Sequence, residues 1–173
     1  HIGEATLLNN LSVIKLYNGE TKASLGLLDT ATALVIDNLG ETHPFLITLY
    51  SNMGYSHELL YDYQKASEKY QEAIRVFEGS EVMDNSRLIS PTMGLGACAG
   101  HLKDVSKADS LFQIATKYVF NFMNDRFGFL GQQEKKLLFD DNDSRYGELA
   151  SFYFDNANHV PLAASTPYNI ELS

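Results

Sequence analysis

Small residues recur along this chain at a fixed spacing of forty-two positions. Ser12, Ser24 and Ala31 are followed by Gly54, Ala66 and Ala73, and these by Gly96, Ala108 and Ala115. A period in this range marks a repeat architecture, in which one unit cannot bury its apolar face alone and its neighbours complete the core. The chain therefore reads as three copies of one unit, and its function is sought on a surface that several units build together.

Each unit reads as a helical hairpin. In the second, Phe45, Leu46, Leu49, Tyr50, Met53, Leu59 and Leu60 recur at three- and four-residue spacings, which predicts a helix from about residue 45 to 61 with one apolar face. Asp62 interrupts it as an N-cap, its carboxylate accepting from the free amides of the next turn. Ala66, Tyr70, Ala73, Ile74 and Phe77 then stripe a second helix. The third unit repeats the scheme, with a first helix from about residue 88 to 102, a cap at Asp104, and Ala108, Leu111, Phe112 and Ala115 beyond it. In the first unit Leu7, Leu8, Leu11 and Ile14 form the apolar face, Asn18-Gly19 breaks the helix, and Leu25, Leu28, Ala31 and Leu34 follow. Gly54 and Gly96 fall inside helices, where glycine costs about 1 kcal/mol relative to alanine. Close approach of the paired helix is the expected compensation, with the alanines playing the matching part.

This pattern resembles the tetratricopeptide repeat. The residues that carry the resemblance are Met53-Gly54, His57, Ala66, Tyr70 and Ala73, then Leu95-Gly96, Ala99, Ala108, Phe112 and Ala115, and more weakly Leu11-Ser12, Lys15, Ser24, Leu28 and Ala31. The ordinary repeat has 34 residues. The longer unit here, joined by Leu39-Gly40-Glu41-Thr42-His43-Pro44, is similar to the kinesin-light-chain-like branch. The resemblance implies an all-α fold, a right-handed αα superhelix with hairpins at about residues 1–40, 44–80 and 87–123.

The period is lost after Phe122, and residues 124–173 are expected to form a helical extension that caps the last repeat. Gly131 with Glu134 reads as a helix start, a further helix is expected over residues 144–156, Pro161 marks a loop, and Ser165 or Thr166 before Pro167 signals another start. Phe129-Leu130-Gly131-Gln132-Gln133-Glu134-Lys135 and the closing Pro167-Tyr168-Asn169-Ile170-Glu171-Leu172 resemble the junction that precedes a caspase-like CHAT domain in bacterial repeat proteins. That resemblance implies an excerpt from a larger bacterial protein, with any catalytic His and Cys in a domain beyond it. The opening at His1 without Met fits an excerpt as well.

With 173 residues, 45% of them hydrophobic, the chain can bury a sizeable core, and no apolar run approaches the roughly 18 residues that span a bilayer. A net charge of −9 with thirteen scattered Lys and Arg argues against nucleic acid. The single cysteine excludes an intrachain disulfide and fits a reducing compartment, so a cytoplasmic location is the default expectation.

Enzymatic chemistry is not expected. Cys98 lies among Ala97, Ala99 and Gly100 and reads as a small buried thiol; His101 three residues on supplies a neighbour but no oxyanion site. His57-Glu58-Leu59-Leu60-Tyr61 has Tyr where a zincin has its second His ligand, and Asp140-Asp141-Asn142-Asp143 lacks the final Glu of a calcium loop. No metal and no small-molecule cofactor are predicted. His1, His43 and His159 are isolated in sequence, and His43 belongs to the repeat connection.

In tetratricopeptide proteins the first helix of each hairpin lines a concave groove that takes peptides. Asn10, Asn52 and Gly94 stand two residues before the glycine or its equivalent, a place where the family often uses asparagine to bond a peptide backbone. The resemblance thus implies a groove of Asn9, Asn10, Tyr17, Ser51, Asn52, Tyr55, Glu58 and His101, with Val13 beside them, and a protein or peptide partner. The lysines that clamp a terminal carboxylate in chaperone-binding relatives are missing, which disfavours an acidic C-terminal peptide. A structural spacer or self-association module is the alternative, and a catalytic fragment using Cys98 is the remaining one.

Overall fold

Six α-helices pair into three hairpins in the computed structural model, which describes residues 2–127. The first hairpin comprises α1 (Ile2–Tyr17) and α2 (Thr21–Leu39), the second α3 (Phe45–Leu59) and α4 (Tyr63–Gly79), and the third α5 (Ile89–His101) and α6 (Val105–Phe127), with a short 3-10 turn at Asn85–Leu88 ahead of α5. The helix α6 runs past Phe122, so residues 124–127, read as extension, continue the third hairpin. The predicted elements around Gly131, residues 144–156, Pro161 and Pro167 lie outside the described residues, as do the junction-like stretches.

One turn closes all three hairpins. The amides of Glu20, Asp62 and Asp104 donate to the carbonyls of Lys15, His57 and Ala99 at 2.8, 3.0 and 2.9 Å, five residues back each time. This pattern needs a left-handed residue just after the helix, and Gly19, Tyr61 and Lys103, again forty-two apart, have φ of 78°, 59° and 66°. The side chains of Asp62 and Asp104 then cap α4 and α6, accepting from the amides of Lys65 and Lys107 at 3.3 and 3.2 Å, as the sequence predicts. His43 does more than join repeats: its Nδ1 accepts from the Phe45 amide at 3.2 Å, meeting one of the free amides at the start of α3.

Within each hairpin the helices meet where the sequence places small residues. Ala66, Ala73, Ala108 and Ala115 are buried. A Cβ on Gly54 would stand 2.6 Å from Cε1 of Tyr70, and one on Gly96 2.9 Å from Cε1 of Phe112. The compensation expected for these helical glycines is therefore present. Between hairpins, α2 packs on α3 and α4 on α5. Leu28, Ala31 and Val35 share a cluster with Leu46, Leu49 and Met53, while Ala66 and Tyr70 share one with Leu95 and Cys98. The first helices also touch one another, α1 with α3 and α3 with α5, more closely than the second helices do. The first helices thus form the tighter, inner layer of the stack.

Two expectations about apolar faces need correction. Leu59 and Leu60 are exposed, because the helix ends at Leu59 and the turn carries both past the core. In α1, Leu8 is half-buried but Leu7, Leu11 and Ile14 are exposed. Their stripe points away from α2, which takes Ala5 and Ser12 instead.

Candidate protein-binding face

On the inner layer, neighbouring helices are tied by polar bridges. Asn52 Nδ2 donates to Asn9 Oδ1 at 2.8 Å, joining α3 to α1. Cys98 Sγ donates to Glu58 Oε1 at 3.2 Å, joining α5 to α3. Asn10 and Asn52 occupy equivalent positions in sequence, yet Asn52 pairs with Asn9, because α1 and α3 lie offset where they touch. Asn10 stays exposed and Asn9 is only 8% exposed. The bridge uses one donor of Asn52 and one acceptor of Asn9; a carboxamide has both functions, so a donor on Asn9 and an acceptor on Asn52 are left over.

The predicted residues divide into two sets. Asn10, Tyr17 and His101 are exposed, Tyr55 is 47% exposed, and Asn52, Glu58 and Val13 are half-buried. Ser51 drops out: it is buried, and its hydroxyl donates to the Ile47 carbonyl at 2.7 Å within the same helix. Asn9 contributes through its bridge rather than as an exposed group. His101 is held by an aromatic neighbour that the sequence pattern does not single out, its ring stacked on Tyr63 with centroids 4.1 Å apart and planes within 7°. Tyr61 meets Tyr63 edge-on at 6.4 Å. The helices α3 and α5 carry no Lys or Arg, so Glu58 is the one formally charged side chain of either at neutral pH.

The sequence pattern gives Gly94 no role, because its counterparts are Asn10 and Asn52. Its Cβ would run into the Tyr70 ring, so Tyr70 reaches across the seam between the second and third hairpins. A glycine inside a helix, at a position where the other units carry a side chain, is the signal that marks it.

Cys98 is fully buried, and its thiol is hydrogen-bonded to the Glu58 carboxylate. Burial holds the His57 imidazole below its ordinary pKa. Burial, reinforced by the charge of Glu72, raises Tyr50. Among the described residues no three His, Cys, Asp or Glu side chains gather in a way that could hold a metal. A recess of about 320 Å³ lies at the turn edge, lined by Gly19, Glu20, Thr21, Lys22, Ala23 and Leu60, and includes none of the predicted groove residues. No helix among the described residues is long and apolar enough to cross a membrane.

Residues 3–79 match the tetratricopeptide repeat family. No curated protein matches the chain. Among solved structures, BtubC (BKLC) from P. vanneervenii superposes with a TM-score of 0.63 at 22% identity, over 68% of this chain and 47% of that one. A Podosopora anserina protein described as a kinesin light chain with nearly identical TPR-like repeats superposes with a TM-score of 0.66 at 15% identity, over 91% of this chain and 69% of that one. A single-residue variant of the same protein superposes at 0.65. The chain thus spans less than half the length of the BtubC structure. These likenesses establish an all-α repeat fold of the tetratricopeptide solenoid type.

Proposed function

We propose that the inner face of the first helices binds an extended segment of a protein partner, with the repeats acting as an interaction or scaffold module. The observation that carries this reading is the Asn9–Asn52 bridge, which sets a spare amide donor and a spare carbonyl acceptor side by side across two helices. That is the pairing a peptide backbone offers in reverse. Tyr55, exposed one turn from Asn52, adds an aromatic surface of the kind enriched at interfaces. Asn10, Tyr17, Glu58 and His101 extend the face along the stack, and the absence of Lys and Arg from α3 and α5 disfavours acidic ligands.

A displayed peptide library selected on the intact chain tests the assignment. Selected peptides should lose at least about tenfold in affinity on Asn52→Ala with Tyr55→Ala, a hot-spot loss of the usual size, and none on Lys117→Ala on α6. Peptides that ignore the double substitution would place the binding surface elsewhere. A finer reading makes this module the sensing arm of a caspase-like CHAT peptidase in a cytoplasmic bacterial protein. It is supported only by the sequence around Phe129 and Pro167, and a His followed by a Cys in caspase-like context downstream of Ser173 in the parent protein is its test.

A further inference from the structure

The forty-two-residue repeat generates the same unit-to-unit face on every first helix, and the three copies of that face are in different states. On α3 it consists of Leu49, Met53 and Ser56, which are 0%, 2% and 0% exposed, and Leu49 and Met53 cluster with Leu28, Ala31 and Val35 of α2. On α5 the counterparts are Pro91, Leu95 and Cys98; Leu95 is 6% exposed and the other two are fully buried, and Leu95 and Cys98 cluster with Ala66 and Tyr70 of α4. On α1 the counterparts are Leu7, Leu11 and Ile14, and they are 70%, 42% and 55% exposed. Their spacing of four and three makes one continuous stripe on the helix.

We propose that this stripe is an uncovered stacking interface, and that its occupant is a further helical hairpin of the same repeat, set ahead of α1 with its second helix against Leu7, Leu11 and Ile14. Continuity with the two interfaces inside the chain selects that occupant, since in both of them the second helix of the preceding hairpin covers the stripe. A solenoid's terminal unit needs a polar outer face for solubility. The outer face of α1 has instead three large aliphatic side chains, with Glu4 standing where the later units bury Leu46 and Leu88. The incoming helix is therefore expected to be apolar opposite Leu7, Leu11 and Ile14 and to carry a basic or amide side chain opposite Glu4.

A graft in register tests the proposal. His43 stands forty-two positions after His1, so duplicating residues 1–42 ahead of residue 1 lays a second copy of α2 over the stripe. Thermal unfolding is compared for the chain and the graft, each with and without Leu11→Gln, together with sedimentation. In the chain, Leu11→Gln should shift Tm by less than about 1 °C, and the protein should sediment as a monomer. In the graft the same change should lower Tm by about 5 °C or more, as for a large side chain lost from a core. A graft that Leu11→Gln leaves untouched, or that does not unfold as one unit, overturns the proposal. So does a chain already destabilised by Leu11→Gln, whose own residues then cover the stripe, and so does a dimer that Leu11→Gln dissociates, whose occupant is a second copy.

Discussion

Gly94→Ala should destabilise this protein although alanine is the better helix former. The Tyr70 ring is nearly fully buried and lies between two glycines on different helices. A Cβ at Gly54 would stand 2.6 and 2.8 Å from Cε1 and Cδ1, and a Cβ at Gly94 would meet Cζ, Cε2 and, at 2.6 Å, the hydroxyl. The ring cannot swing from one contact without entering the other. Inserting a methyl into a closed core costs roughly 1–3 kcal/mol. Opposing it is the gain of about 1 kcal/mol for Gly→Ala in a helix. The net expectation is a loss of about 0–2 kcal/mol, at most about 8 °C in Tm for a chain of this size. Gly26→Ala calibrates the opposing effect, because Gly26 lies inside α2 with nothing within 4 Å of the added methyl; it should stabilise by about 0.5–1 kcal/mol. Urea unfolding followed by far-ultraviolet circular dichroism reads both, with the slope m unchanged. The decisive comparison adds Tyr70→Leu: it should cost at least about 1 kcal/mol less in the Gly94→Ala background than alone, since truncating the ring makes room for the methyl. If Gly94→Ala raises stability as Gly26→Ala does, or if the two changes at Gly94 and Tyr70 simply add, Tyr70 does not fill the seam and the reasoning fails.

Lys103 holds a left-handed φ of 66° at the turn where the first hairpin has Gly19, and it is exposed; Lys103→Gly should stabilise by up to about 1 kcal/mol in the same urea assay. Tyr61→Gly should gain less, because it also removes the edge contact with Tyr63. His57 is kept below its ordinary pKa by burial, and its Nδ1 is buried without a hydrogen-bond partner. The unfolded chain, with an imidazole near 6.5, therefore binds the proton first, so stability present above about pH 6.5 is lost as pH falls below it. The urea midpoint of the protein minus that of His57→Leu should fall from about pH 7.5 to 5.5, and a value that rises on acidification would reverse the sign argued here. Cys98 should react with a thiol reagent at least about a hundredfold more slowly in the folded chain than in urea, since its sulfur is fully buried against a carboxylate; rapid labelling of the native protein would contradict that burial.

The spacing of glycine and alanine is enough to place the hairpins, because those residues mark where backbones come close and a repeat shows each mark more than once. The caps at Asp62 and Asp104 are legible for the same local reason. What periodicity does not do is separate an apolar residue that faces a neighbouring helix from one that is exposed. Leu7 and Leu49 are the same position in the repeat, one exposed and one buried, and nothing within forty-two residues distinguishes them. The turn escapes a reading by residue type because Tyr61 and Lys103 do what Gly19 does without being glycine. At the proposed binding face the asparagines are legible but their pairing is not, since sequence equivalence aligns Asn52 with Asn10 whereas Asn9 is the residue that bonds to it. That His101 ends α5 is legible in its helix, but its stack on Tyr63 joins two hairpins and depends on where the turns end.

The two seams of the stack are built differently, and this bears on how a ligand would act. Between the second and third hairpins Tyr70 fills the space opened by Gly94, and Glu58 meets Cys98, a seam of interlocking shape. Between the first and second, Leu28 stands where the next hairpin has Tyr70 and Asn52 where the third has Gly94, so aliphatic packing of Leu28, Ala31 and Val35 with Leu46, Leu49 and Met53 takes the place of the ring, and the polar link between inner helices is the Asn9–Asn52 bond. One hydrogen bond between neutral amides contributes only about 0.5–1.5 kcal/mol net. Stability in a solenoid is a sum of units and nearest-neighbour interfaces, so a contact added across a seam adds to the stacking there. A peptide that accepts from Asn9 and donates to Asn52 spans that seam and no other. Its binding would therefore be coupled to stacking of the first hairpin on the second, whereas a ligand confined to Tyr55 and Glu58 would bind the second hairpin whether or not the first is docked. In the proposed binding mode the asparagine pair is thus both the recognition element and the point at which recognition tightens the array.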